Sequence, residues 1–510
     1  MQSKKLKCMA LTAAILLLSA CATADRSAKE SSDPTTRAIT EDYVAPKKAP
    51  AEAANATAGF SSPVPAPAPV MEDTIVTTGA RRRSASSARP PEAYIEAAPM
   101  PSASYRGWDG SLSFGAGAGS PTGRGGPNPQ AGLLTAGDYD DVLNPVLYKS
   151  YLDKMLQGSL KNKELPYVDA DQRINIRVQD SLGKPVPLAH ILIRDADGNK
   201  MFPLRTAADG MTYLYPKFDV LQPGNTVSVS AKGAKSVKKT LTEDTLSGGE
   251  DIIFDLDTDR HPIEKLDLLL TIDATGSMGD EMRYLQSELR SIVSRVETTN
   301  AGIDVRLGLV VYRDHGDEYV VRSIPFTDDI EDFQTSLAAQ NADGGGDAPE
   351  AMHTAMRTGL KMDWRESALK INLLVADAPP HDQDISDTWK TGLISRTKGI
   401  HIVPIAASGV DKTAEFLMRG MAQITSGRFL FLTDDSGIGN PHAEPTVDCY
   451  VVTRLDGLVT RVLNSLITGQ RAEPEADDVI RRVGNYRAGI CQLDADSEAK
   501  IQDVDLQLTE

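Results

Sequence analysis

An almost unbroken apolar run in Leu266–Met282 (LDLLLTIDATGSMGDEM) stops at Asp273, and Asp273, Thr275 and Ser277 then stand at alternate positions of a short, glycine-containing turn. Such a turn can aim three oxygens at one point. Asp377 ends a second apolar run, in LLVADAPP. Two carboxylates brought to one place repel each other unless a cation or a proton lies between them. The hydroxyls of Thr275 and Ser277 add neutral oxygen ligands. An all-oxygen set without cysteine or clustered histidine suits a hard ion, Mg²⁺ before Ca²⁺ or Mn²⁺. Ser277 has a second use, as a cap in Ser277-Met278-Gly279-Asp280 for the helix that follows, but capping leaves Asp273, Thr275 and Asp377 unaccounted for.

The elements that must position these residues are legible as alternating strand and helix signals from Ile263 onward. Leu266–Ile272, Val305–Tyr312, Ile371–Ala376, Ile400–Ala406 and Phe429–Leu432 are near-continuous apolar runs, as in strands covered on both faces. Between Glu281 and Glu297, Met282, Leu285, Leu289, Ile292, Val293 and Val296 recur at helical steps, and Leu455, Leu458, Val462, Leu463, Leu466 and Ile467 do the same later. The alternation predicts an α/β fold with a doubly wound, mostly parallel sheet. Tyr319–Phe326 follows Val305–Tyr312 after a link too short for a crossover, so an antiparallel edge strand is expected there. In an open sheet of this kind ligands bind at the carboxyl ends of the strands, where Asp273 and Asp377 stand. His315 falls on the same rim. His381, Asp382, Asp384 and Asp387 in HDQDISD offer either metal ligands or a polar rim with a helix start.

At these residues the sequence resembles a known family. DATGS at 273–277 is similar to the DxSxS-type metal-ion-dependent adhesion site of von Willebrand factor type A domains, with Thr275 in the first serine position and Asp377 in the place of the later aspartate. YRDHGDEY, DGGGDAPEAM and VADAPPH resemble the bacterial branch, and the likeness covers roughly residues 263–469. The family usually supplies a threonine from a middle loop, where this chain has Asp347. Asp347 is either a substitute ligand or, with Pro349 and Glu350, the cap of a helix. The resemblance implies that an acidic side chain of a partner protein fills the ion's open position. Metal-dependent binding of an envelope or extracellular protein is therefore expected. A structural lipoprotein with a stabilising metal is the alternative, and a metal-dependent hydrolase or enzyme subunit comes after it. No GxSxG, HExxH, P-loop or GxGxxG constellation is present, so the expectation is a non-enzyme.

The rest of the chain of 510 residues frames this unit, with a formal charge of −17 that argues against nucleic acid as partner. Residues 1–20 read as an export signal, with Lys4, Lys5 and Lys7 ahead of the apolar stretch Met9–Ala20. Leu18-Ser19-Ala20-Cys21 resembles a bacterial lipobox, which implies lipid on Cys21. Ala22 after it implies the outer membrane. Residues 21–135, rich in Pro, Ala, Gly and Ser, predict a disordered tether. A helical lead-in is expected at 136–170 and a small antiparallel β-sandwich at 171–258, from short β-branched runs separated by turn residues. The von Willebrand-like unit spans 263–469 and a C-terminal extension 470–510. With Cys8 and Cys21 accounted for, Cys449 and Cys491 remain as a disulfide pair in an oxidising compartment, or as two buried thiols.

Overall fold

The computed structural model describes residues 132–247, 251–259, 261–346, 348–438 and 441–493. The export signal, Cys21, the tether up to residue 131 and Asp347 lie outside the described residues. In chain order the elements are β1 (Thr135–Tyr139), α1 (Pro145–Gln157), and seven strands, β2 (Ile174–Asp180), β3 (His190–Arg194), β4 (Lys200–Arg205), β5 (Met211–Leu214), β6 (Thr226–Ser230), β7 (Val237–Thr240) and β8 (Ile252–Leu256). There follow β9 (Lys265–Asp273), α2 (Gly279–Thr299), β10 (Asp304–Tyr312), β11 (Val321–Thr327), α3 (Ile330–Ala338), α4 (Met352–Leu360), β12 (Leu369–Ala376) and α5 (Ile385–Lys398). The last group is β13 (Ile400–Ala406), α6 (Lys412–Ile424), β14 (Phe429–Thr433), β15 (Tyr450–Arg454), α7 (Leu455–Thr468) and β16 (Arg481–Val483).

Nine strands form the central sheet in the order β11-β10-β9-β12-β13-β14-β1-β15-β16. β10, β9, β12, β13 and β14 run parallel, and β11 pairs antiparallel at one edge, as the short link before it predicts. The apolar runs alternate between two cores. Leu266, Leu268, Leu270 and Ile272 of β9 face α2, α3 and α7, whereas Leu269, with Val310 and Leu374, faces α1, α4, α5 and α6. Helices thus cover both faces, which is why these strands tolerate apolar residues at successive positions.

Two predicted boundaries are corrected. Thr135–Tyr139, assigned from sequence to the end of the tether and the lead-in, is a strand inserted between β14 and β15, antiparallel to both. Its composition hides it: TAGDY has little β propensity and follows a glycine-rich tract. Gly137 is required there, because a Cβ would meet Phe431 Cζ at 2.6 Å and Tyr450 Cδ2 at 3.0 Å. At the other end, the extension contributes β16 to the same sheet. The lead-in helix α1 buries Leu147, Tyr151 and Met155, and Val142 is buried just ahead of it.

The sandwich packs β5-β2-β8 against β4-β3-β6-β7 around Ile176, Val178, Ile191, Ile193, Val227, Val229 and Phe254. It is not wholly antiparallel: β2 and β8 pair in parallel. The strands β4 and β7, which the sequence does not announce, contain Pro203 and the charged pair Lys238-Lys239. Asp195 and Asn199 close the β3–β4 hairpin, where Asn199 N donates to Asp195 Oδ1 at 2.7 Å.

Candidate functional site

The carboxyl ends of β9, β10 and β12 meet at one rim. Asp273 ends β9 fully buried, and its Oδ1 accepts from Thr275 N at 2.9 Å and from Thr275 Oγ1 at 2.7 Å. Thr275 Oγ1 lies 3.2 Å from Ser277 Oγ. Thr275 is buried and Ser277 is exposed, so the turn opens to solvent through Ser277. The N-cap position of α2 is Met278, whose side chain makes no cap bond. The Ser277 hydroxyl lies where it favours the charged form of the Asp377 carboxyl.

A second segment closes over this turn. Gly276 N donates to Gly344 O at 3.1 Å, and Asp343 N donates to Ala274 O at 3.0 Å. Gly344 and Gly345 adopt φ +78° and +77°, a left-handed backbone that disfavours side chains. A Cβ on Gly345 would stand 3.2 Å from Glu350 Oε1 and 3.3 Å from Thr275 Cβ. The same loop brings in Glu350, a buried residue bonded through Glu350 N to Pro379 O at 2.9 Å. Sequence reasoning placed Glu350 in a helix cap. Helix α4 starts at Met352, its N-cap Ala351 makes no side-chain cap bond, and Glu350 Oε1 lies against Gly345.

Asp273 Oδ2, Asp377 Oδ1 and Glu350 Oε2 are buried without a hydrogen-bond partner, as is Glu281 Oε2 beside them. Burial, reinforced by the charge of Asp377, pushes the Asp273 carboxyl well above its usual range. Burial also raises Asp377, with the Ser277 hydroxyl opposing and Glu281 adding. Glu350 is pushed up to about 9 by burial, then by Asp273, Asp314 and Asp377. Leaving such oxygens unsatisfied costs about 1–3 kcal/mol each, more if charged. A divalent cation would relieve the desolvation and the mutual repulsion together. The oxygens of Asp273, Thr275, Ser277 and Asp377 suit a hard cation, and Glu350, which the sequence reasoning did not single out as a ligand, is buried near them.

Around the site, Glu281 Oε1 accepts from Ser408 N at 3.1 Å, from the Ser408 hydroxyl, and from His442 Nε2 at 3.1 Å. His442 Nδ1 is 2.8 Å from Asp434 Oδ1. These bonds tie the loop after β14 to the first turn of α2. His315, His353 and Asp384 form a further cluster whose ligand atoms all lie within 4.8 Å of one another. Away from the rim, Cys449 and Cys491 are joined by a disulfide with Cα atoms 5.5 Å apart.

Compared with known proteins, residues 267–434 match the family model of the von Willebrand factor A domain. A protein of Acanthamoeba polyphaga mimivirus, named for its likeness to ariadne RING finger proteins, is 35% identical over 119 residues, 23% of this chain and 11% of that protein. An alpha-protein kinase of Dictyostelium discoideum is 26% identical over 133 residues, 25% of this chain and 21% of that protein. The chain therefore spans only these small shares of the curated relatives. Among solved structures, the conserved hypothetical protein BatB of Bacteroides thetaiotaomicron aligns at 10% identity and TM-score 0.28, covering 39% of this chain and 98% of that one. The pilus adhesin SpaC of Lactobacillus rhamnosus GG aligns at 14% identity and TM-score 0.27, covering 40% of this chain and 29% of that one. Residues 267–434, which hold β9 to β14 and the rim at their carboxyl ends, are thus the part of the chain similar to the von Willebrand factor A domain.

Proposed function

We propose that this chain is a cell-envelope lipoprotein that binds a protein partner through a divalent cation, Mg²⁺ by preference, on its von Willebrand factor A domain. Asp273, Thr275, Ser277 and Asp377 would hold the ion, with Glu350 beside them; Asp347 would join from the 343–350 loop. The observation that carries this is the set of buried, unpartnered oxygens, Asp273 Oδ2 and Asp377 Oδ1, beside an exposed Ser277. A hard ion bound there prefers oxygen ligands, ideally anionic, and would present a free position to an Asp or Glu of the partner. A domain of this family supports a protein-interaction or adhesion-type role. Attachment through lipid on Cys21 and an outer-membrane location rest on the signal and lipobox residues, and no helix among the described residues is long and apolar enough to cross a membrane. No catalytic function is assigned to the site.

The test compares the full chain with Asp273→Ala, each in Mg²⁺ and in EDTA. Calorimetric titration is expected to show Mg²⁺ binding lost in Asp273→Ala, and envelope proteins retained by the wild type in Mg²⁺ are expected to be released in the other three conditions. Equal retention in all four would make the metal structural and remove the adhesion-type function.

A further inference from the structure

The cluster of His315, His353 and Asp384 lies outside the carboxylate site and has a different chemistry. Three segments bring it together: the loop after β10, the first turn of α4, and the start of α5. Asp384 occupies the N-cap position of α5, where an aspartate ordinarily accepts from the helix's free N–H groups. It makes no cap bond; its Oδ2 is buried, has no hydrogen-bond partner, and stands 3.4 Å from His353 Nδ1.

His353 shows the complementary anomaly. Its Nε2 is engaged by Thr354 Oγ1 at 2.9 Å, which leaves Nδ1 as the open ring nitrogen, and Nδ1 also makes no hydrogen bond. His353 Nδ1 and Asp384 Oδ2, 3.4 Å apart and each without a hydrogen bond, are placed to share a proton or a metal ion. In a tetrahedral site with bonds of about 2.0–2.1 Å, neighbouring ligand atoms are about 3.3–3.4 Å apart. The pair therefore already has the separation of one edge of such a site.

The third corner is His315, exposed, with its ring 5.9 Å from that of His353 and 5.9 Å from that of His381. Its ligand nitrogen lies within 4.8 Å of the other two ligand atoms. The rim behind it is braced by Asp314 Oδ1, 2.7 Å from His381 Nε2.

We infer that His315, His353 and Asp384 form a second metal centre, separate from the carboxylate site, that takes a divalent transition-metal ion of the Zn²⁺ class. Imidazole nitrogens select borderline ions over Mg²⁺ and Ca²⁺, which prefer oxygen. Two imidazoles and one carboxylate leave a fourth position open on the exposed His315 side. The two centres thus sort ions by hardness on one rim: all-oxygen ligands for the hard ion, nitrogen and oxygen for the borderline one.

The experiment is a Zn²⁺ titration of the metal-stripped full chain in excess Mg²⁺, repeated with Co²⁺ as a spectroscopic probe. Wild type is expected to bind Zn²⁺ and to develop the visible absorption of four-coordinate Co²⁺. His315→Ala, exposed and so neutral to folding, and Asp384→Asn are each expected to weaken Zn²⁺ at least about tenfold, the lower end of losses seen even for residues that only support metal ligands. His353→Gln is expected to abolish the Co²⁺ band. Asp273→Ala is expected to leave both signals unchanged, so failure of the carboxylate site is read separately from failure of this one. Unchanged Zn²⁺ affinity in His315→Ala, or no Co²⁺ band in the wild type, would overturn the inference.

Discussion

Glu350 has its carboxyl buried among like charges, and its protonation is tied to folding. The sign follows from linkage. Its folded-state value of about 9 lies above the ordinary 4.5, so the stability it contributes is fully present below 4.5 and is lost as pH rises through about 9. Asp273 and Asp377 are shifted in the same direction. In EDTA, the Tm of the chain is expected to fall as pH rises through that window, with a shallower fall in Glu350→Gln; scanning fluorimetry across the window checks this. A Tm independent of pH, or an equal slope in the variant, contradicts the assignment of Glu350 to the site. Saturating Mg²⁺ should oppose the fall, because the ion takes the place of the protons. Asp273, Thr275 and Ser277 stood out in the sequence because a polar turn with a spacing of two follows a buried strand, and Asp377 because it ends a second apolar run. Glu350 was not, because Pro-Glu ahead of an apolar stretch is also how a helix begins. Asp384 stood out within HDQDISD as either a metal ligand or part of a polar rim, but its pairing with His353 was hidden, because only the packing of α4 against α5 brings the two together.

The loop from Asp343 to Glu350 sets the shape of the carboxylate site, and its glycines do this by conformation and by space. Gly345→Ala places an L residue at φ +77° and a methyl 3.2 Å from Glu350 Oε1 and 3.3 Å from Thr275 Cβ. The backbone part costs about 1–2 kcal/mol. Gly183 provides the control: it has φ +76° with nothing within 4 Å of its Cβ. Both substitutions are expected to lower Tm, but only Gly345→Ala should weaken Mg²⁺ binding, by about tenfold or more if Thr275 is displaced; calorimetry on the pair separates strain from site geometry. Equal Mg²⁺ affinity in the two variants would show that the loop tolerates the methyl. The strands of the parallel sheet were legible because burial on both faces leaves continuous apolar runs. β4 and β7 were not, since edge and half-exposed strands accept Pro203, Lys238 and Lys239 without any apolar alternation.

The sandwich and the central sheet have separate cores but are locked to each other. Arg396 of α5 donates to both carboxylate oxygens of Asp219 at 2.6 and 2.9 Å and to Tyr213 O at 2.9 Å, with both charged side chains buried. Removing one partner of such a pair strands the other charge, so Arg396→Ala is expected to destabilise the chain by about 3–5 kcal/mol; urea unfolding checks this, and a loss under about 1 kcal/mol would mean that Asp219 regains water. A larger consequence follows from β1. The boundary that hydrophobic patterning suggests for the von Willebrand-like unit, near residue 263, leaves out the strand that joins β14 to β15. A fragment starting there would expose the paired edges of Phe429–Thr433 and Tyr450–Arg454 and open a gap beside Phe431 and Tyr450, where Gly137 now packs. It would also strand Arg428, which donates to Asp138 Oδ2 at 3.2 Å, and Arg419, which is held by Asp141 at 2.6 and 3.1 Å in the core. Unpaired sheet edges and an uncompensated buried guanidinium are each grounds for failure to fold. Residues 263–493 alone are therefore expected to aggregate or to melt without cooperativity. Adding a peptide of residues 132–160 in trans should restore part of the cooperative transition, because α1 and β1 bring back both the missing strand and Asp141. A sharp, reversible melt of 263–493 without the peptide would show that the sheet closes without β1, and that its place between β14 and β15 is an accessory to the domain.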